Sequence, residues 1–342
     1  MNIDGLECGI FNRTVFEELR AGRVDCVTNT VAFWENAAET MRALAGWYGM
    51  ERDNADLIRI AYSTADIEAA AAEGRTAVLM GTQNASPIED RLDNIELFAR
   101  MGLRVMQLTY NIQNTLGASC YETTDAGLTR FGRNAVEEMN RCGILVDCSH
   151  VGDRTSYDAI HASAVPVAVN HANPREFFDH ARNKRPEVLD ALAERGGVLG
   201  LTMYPNIAGE WCETVDSWCE LVARTVERIG VDHVGVGSDL GRFLTEEHMV
   251  EMRKGYWTRG PEYGAGKPGQ SPVVPDPEWF GTAAQFGNIP DGLARAGFSA
   301  AEVEKLCGGN WLRLYRQTID VDLQGGPPAV PVPASAASAL QA

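Results

Sequence analysis

At 342 residues, with 45% hydrophobic and 23% charged residues, the chain has the composition of a large globular protein. A net charge of -17 excludes nucleic acid and anionic membrane surfaces as partners, because both repel an acidic chain. No apolar run approaches the roughly 18 residues of a membrane span, and the eight cysteines form no CxxC pair, so reduced thiols and a cytoplasmic location are expected. The opening MNIDGLECGIF has no basic segment followed by an apolar run, and no signal peptide is expected.

Eight strand-like runs occur in order: 2–8, 25–32, 77–81, 104–109, 144–148, 165–170, 198–203 and 233–237. Helix-like segments fall between most of them, at 17–20, 88–100, 134–141, 153–163, 186–195 and 215–229. Eight alternations over about 240 residues are the length of a (β/α)8 barrel. The competing doubly wound sheet lacks its GxGxxG after the first strand. One barrel domain is therefore predicted over 1–322, with Trp34, Trp47 and Tyr48 packing over it from a helical excursion at 36–66. A loop insertion at 241–290, rich in Gly, Pro and aromatics (Tyr256, Trp257, Tyr263, Trp279, Phe280), is expected to be a lid or an oligomer contact. Helices at 299–307 and 311–318 close the fold, and the Ala/Pro-rich 323–342 is a disordered tail or an arm to a neighbouring subunit, so a dimer or larger homo-oligomer is expected.

Chemistry concentrates at the strand ends. His150 and His171 follow the fifth and sixth runs, one βα unit apart, where two imidazoles on the open face of a barrel can share a divalent ion. Asp239 follows the last run in GVGSDLG and can ligate the ion or act as general base. Gln83, after the third run, is a weaker neutral ligand. Tyr110 and Asn111 after the fourth run, Tyr204 after the seventh, and Arg182 and Asn183 in DHARNKRP are candidates to orient a substrate carbonyl or carboxylate. Each of these alone also fits a structural role.

Several segments together resemble the renal or membrane dipeptidase family, peptidase family M19, among the metal-dependent amidohydrolase-like barrels. They are IDG at 3–5, LRVMQLTYN at 103–111, GLTRFG at 127–132, EEMNRCGILVDCSHVG at 137–152, NHANP with HARN, ERGGVLGLTMYP at 194–205 and VDHVGVGSD at 231–239. The resemblance implies a binuclear zinc hydrolase of dipeptides, including those with a D-configured C-terminal residue. It assigns His150 and His171 to one metal, Asp239 to the strand-eight aspartate, Arg182 to the substrate carboxylate and Tyr204 to the FYP-like tyrosine. This chain departs from the family where the first metal would sit. Leu6 and Cys8 replace His-x-Asp, Gln83 replaces the bridging glutamate, and Tyr110 replaces a histidine that steadies the tetrahedral intermediate.

A leucine cannot bind a metal and a glutamine loses the bridging charge. Glu7, turned to the other side of its strand, does not compensate. One zinc per chain is expected, with manganese or another divalent ion as substitutes, held by His150, His171 and Asp239 with Gln83 as a fourth partner. The predicted activity is hydrolysis of a dipeptide or small amide bearing a carboxylate, with Asp239 as the proton-transfer group and Tyr110 as oxyanion donor. Two alternatives stand beside it: a lyase, isomerase or decarboxylase reaction at the same metal, and a binding protein without activity.

Overall fold

The computed structural model describes residues 1–256, 264–266 and 271–321. Trp257, Tyr263 and the 323–342 segment lie outside the described residues. Nine strands, all paired in parallel, form the sheet: β1 (Ile3–Glu7), β2 (Cys26–Ala32), β3 (Ile58–Ile60), β4 (Thr76–Thr82), β5 (Leu103–Gln107), β6 (Leu145–Asp147), β7 (Ala168–Val169), β8 (Val198–Leu201) and β9 (Val234–Val236). The order β2-β1-β9-β8-β7-β6-β5-β4-β3, with β2 also pairing β4, closes eight of them into a barrel. This is the predicted (β/α)8 architecture.

Helices α1 (Arg13–Ala21), α2 (Ala37–Asp53), α3 (Thr64–Ala72) and α4 (Asp93–Arg100) connect the first five strands. The next four are connected by α5 (Arg130–Cys142), α6 (Asp153–Ala162), α7 (Pro186–Glu194), the single turn α8 (Pro205–Ala208) and α9 (Val215–Ile229). After the barrel come α10 (Glu246–Lys254), α11 (Asn288–Arg295), α12 (Ala300–Glu304) and α13 (Asn310–Thr318). Local signals place the ends. The Asn36 side chain accepts from Glu39 N while Glu39 returns to Asn36 N, and Gly143 at φ +68 turns α5 into β6, a conformation glycine adopts without strain.

Two readings of the sequence change here. The 36–66 excursion is not wholly helical, because it contains β3, which pairs the first half of β4 along the edge that β5 takes over at Met80. Three residues are too few to show a period of two. The 241–290 stretch is not all loop, because Thr245 caps α10 within it. Trp47 packs as expected against the wall, edge-on to Phe11 and Phe16, while Trp34 lies at the rim, its ring edge-on to Tyr110. Among the described residues no helix is long and apolar enough to cross a membrane, and all eight cysteines are unpaired.

The apolar core has two parts. One lies between strands and helices; the other fills the N-terminal end of the barrel, where Ile3, Cys26, Leu79, Val105, Leu145 and Val198 point inward. Helix α13 plugs that end. Fully buried Trp311 stacks on Tyr315 with centroids 5.9 Å apart and donates from Nε1 to the Val236 carbonyl at 2.8 Å. A Cβ on Gly5, Gly200 or Gly235 would stand 2.5, 2.9 or 2.6 Å from its indole, so only glycine admits the ring at those positions.

Two buried aspartates tie neighbouring strands above this plug. Asp4 accepts the Leu6 and Ser238 amides at 3.2 and 2.8 Å, and Asp147 accepts the Asn170 amide at 2.7 Å and the Ser149 hydroxyl at 2.8 Å. Burial pushes both carboxyls up to about 6 from an ordinary 3.8.

Removing the plug's indole in Trp311→Ala should cost about 3–5 kcal/mol, read as a lower denaturation midpoint with an unchanged slope. A raised folded pKa means that the native state holds the proton more tightly. The stability that Asp147 contributes is full below pH 3.8 and is lost as pH rises through about 6. Melting temperatures of wild type and Asp147→Asn should therefore diverge in the variant's favour between pH 4 and pH 8; a constant difference would show that Asp147 stays ionised.

Candidate active site

The open end of the barrel holds a cavity of about 260 Å³. Every strand end but one invoked from the sequence reaches it: Cys8 after β1, Gln83 after β4, Tyr110 and Asn111 after β5, His150 after β6, Tyr204 after β8 and Asp239 after β9, with Arg182 from the loop behind β7. His171, fully buried, stands behind His150, their Nε2 atoms 3.0 Å apart. Asn183 is a second exception among the candidates. It does not line the cavity, and its amide is committed to backbone, accepting from Asn173 N and donating to the Phe178 and Ile207 carbonyls.

The two histidines are oriented by amides. His150 Nδ1 meets Asn111 Oδ1 at 2.7 Å and His171 Nδ1 meets Asn170 Oδ1 at 2.5 Å. Protons on both Nδ1 atoms turn both Nε2 lone pairs toward the same point. Burial, then the nearby Arg182 guanidinium, hold both rings well below the usual histidine range, so they are neutral.

Arg182 is 2% exposed, and its guanidinium donates to the Ser149 carbonyl and, at 2.8 Å, to the His171 carbonyl. Among the described residues it has no carboxylate within 4.0 Å. A buried cation without a counter-ion favours an anion arriving in the cavity.

Asp239 sits at φ +61, a conformation costly for a residue with a Cβ, and accepts from the Cys8 thiol at 3.6 Å. Burial pushes its carboxyl up to about 7, against the pull of Arg182. The Tyr110 ring lies between Phe33 and His150, at 5.0 and 4.4 Å. Burial keeps the phenol protonated, and among the described residues its hydroxyl has no hydrogen-bond partner. The Tyr204 hydroxyl accepts from Asn206 Nδ2 at 2.8 Å and Arg253 Nη2 at 3.3 Å.

The expected four-ligand metal set does not assemble in this geometry. Zinc takes its ligands at about 2.0–2.3 Å, so two donors on one ion stand at most roughly 4.6 Å apart. The histidine pair meets that limit, but the ligand atoms of His150, His171 and Asp239 do not all lie within 4.8 Å of one another. Gln83 gives its amide N–H to Thr30 Oγ1 at 3.0 Å. Leu6 is buried and does not line the cavity, and neither does Glu7, whose electrostatic neighbours are Asp4, Glu18, Arg242 and Asp276. The trio that does cluster among the described residues, Glu96, Glu138 and Cys142, lies on outer helices, where Arg141 bonds both glutamates.

Residues of the 241–290 stretch form much of the cavity wall, among them Phe243, Leu244, Met252, Arg253 and Asp276. Sequence reasoning named none of these. The one signal was the length of the insertion, since long loops in compact enzymes cover sites.

Comparison with known proteins identifies the family and the fold. The sequence pattern of the membrane dipeptidase family, peptidase family M19, matches residues 11–251. Dipeptidase tcpJ of Claviceps purpurea is 28% identical over 272 residues, covering 78% of this chain and 56% of the relative, so the chain spans about half the length of such curated relatives. A crystal structure of an amidohydrolase from Pseudomonas aeruginosa superimposes with a TM-score of 0.86 at 34% identity, covering 93% of this chain and 96% of the other. A metallo peptidase from Rhodobacter sphaeroides, solved with a phosphinate mimic of the dipeptide L-Ala-D-Ala, shares the fold at a TM-score of 0.75 and 18% identity, covering 93% of this chain and 99% of the other. By this match, the chain belongs to the membrane dipeptidase family, peptidase family M19.

Proposed function

We propose that the chain hydrolyses a small dipeptide-like amide that ends in a carboxylate. The observation that carries this reading is Arg182, a buried guanidinium with no carboxylate within 4.0 Å among the described residues, at the wall of a cavity of dipeptide size. The guanidinium, already aimed by two backbone carbonyls, holds the substrate carboxylate and sets the scissile carbonyl in the cavity. Asp239, ionised, takes a proton from the attacking water; the tetrahedral intermediate's oxyanion accepts from the Tyr110 hydroxyl. The C–N bond then breaks as Asp239 returns the proton to the leaving amine.

The family's metal chemistry reaches this chain only as far as the histidine pair, which offers two neutral nitrogens to one zinc or manganese ion. The residues present do not supply the rest of a binuclear centre, and no step above is assigned to an ion. A second reading, a lyase, isomerase or decarboxylase reaction on a small carboxylate, draws on the same anchor and the same proton carrier. It is favoured by the Cys8 thiol held on Asp239 where the family pattern has a metal-bound aspartate.

A dipeptide panel separates the two readings. Turnover should be present, with kcat/KM rising with pH through about 7 as Asp239 ionises. Asp239→Asn should lower kcat by about 10²–10⁴ and flatten that profile, while Arg182→Gln should raise KM by about ten- to a hundredfold. Absence of dipeptide turnover across the pH range would transfer the case to the second reading. Plasma mass spectrometry of protein purified without chelators should find at most one divalent ion per chain, absent from His150→Ala; two ions would mean that Cys8, Glu7 or Gln83 ligates after all.

A further inference from the structure

Charges of both signs line the cavity, Asp239 and Asp276 among them, in a chain whose net charge is -17. Among the described residues three arginines line it: Arg182, Arg242 and Arg253. Arg242 is neutralised, with two hydrogen bonds to Glu18 at 2.7 and 2.9 Å, and Asp276 is a further electrostatic neighbour. Arg253 is not. Among the described residues no carboxylate lies within 4.0 Å of it, and its only partners, the Tyr204 hydroxyl and the Pro272 carbonyl, both at 3.3 Å, are taken by Nη2.

Nor is Arg253 a loose surface side chain. It leaves α10 in the last turn and lies against the backbone of Gly264 and Gly266. A Cβ on Gly264 would stand 2.6 Å from its Nε, and one on Gly266 would stand 3.1 Å from Nη1. Held there, the guanidinium keeps Nε–H and the Nη1 hydrogens without acceptors among the described residues, beside a cavity that Gly264, Ala265 and Tyr204 also line. Each free Nη1 hydrogen can give a charge-assisted bond to one carboxylate oxygen.

We infer that Arg253 is a specificity residue that receives a second carboxylate, so that the preferred substrate is a dipeptide-like amide carrying two carboxylates, one on Arg182 and the other on Arg253. The inference rests on the proposed hydrolysis for its substrate class, and on the geometry alone for its second anion site. Tyr204 acts through Arg253 as a positioning residue, its hydroxyl accepting from Nη2 and so fixing the fork's orientation.

The test pairs ligands that differ by one carboxylate. Alanyl-glutamate should be turned over with kcat/KM about ten- to a hundredfold above alanyl-glutamine, the range expected for one charge-assisted pair, in whichever C-terminal configuration the enzyme accepts. Arg253→Gln should erase that ratio by raising KM for alanyl-glutamate alone. Arg253→Lys should restore part of it, and Arg182→Gln should weaken both substrates. Calorimetric titration with glutarate and butyrate reads the same site without catalysis: wild type should prefer glutarate, and Arg253→Gln should not. Preference for glutarate without any dipeptide turnover would uphold the second anion site while refuting hydrolysis. Equal binding of glutarate and butyrate by wild type, or a glutamate-to-glutamine ratio unchanged in a folded Arg253→Gln, would overturn the inference.

Discussion

The rim of the barrel hangs on one backbone contact. The carbonyl oxygen of Asn170, just past β7, occupies the space that β-carbons on Gly5, Gly200 and Gly237 would claim, at 3.1, 2.1 and 1.8 Å. Three strands thus close around one peptide group, and the next residue in the chain is His171. Its imidazole is seated by that closure, by the Asn170 amide on one side and by His150 on the other. Two of these glycines, Gly5 and Gly200, also admit Trp311 from below, so the plug at one end of the barrel and the histidine at the other share a wall only one residue thick.

Electrostatics at that rim runs in one direction. Arg182 and Lys184, both almost fully buried, stand near the histidine pair and help burial keep it neutral, while desolvation pushes the carboxyls of buried Asp4 and partly buried Asp239 and Asp276 upward. Lys184 is absorbed structurally, donating to the Val151 carbonyl at 2.6 Å and the Ser156 hydroxyl at 3.3 Å. Acids that titrate close to neutrality beside guanidinium groups give a cavity whose charge changes with pH near 6–7.

Much of this was legible from residue patterns, and the failures are instructive. Buried parallel strands read as apolar runs, so all eight barrel strands are visible, and the helix expected at 215–229 coincides with α9, whose start Thr214 caps. Strand β3 was invisible, since its three residues, IRI, take their conformation from β4 and not from any pattern of their own. The rim residues His150, Tyr110 and Asp239 were found because a barrel presents whatever follows its strands. Asn183 was misplaced by proximity to Arg182: adjacent residues in a loop point in different directions, and one faces the cavity while the other holds the loop together. Arg253 could not be found at all, because an arginine on an amphipathic surface helix gives no sign that two distant glycines make room for it.

The position of the plug in the chain bears on how the protein is made. Trp311 and Tyr315 belong to the last described helix, yet they fill the interior that β1, at the very start, helps to enclose. During synthesis the strands emerge one by one into a barrel that still lacks its inner core, and β1 waits for β9 to pair and for α13 to arrive. Closure of this barrel is therefore a long-range event, and the nascent chain carries exposed strand edges and empty glycine-lined space until the α13 segment has left the ribosome.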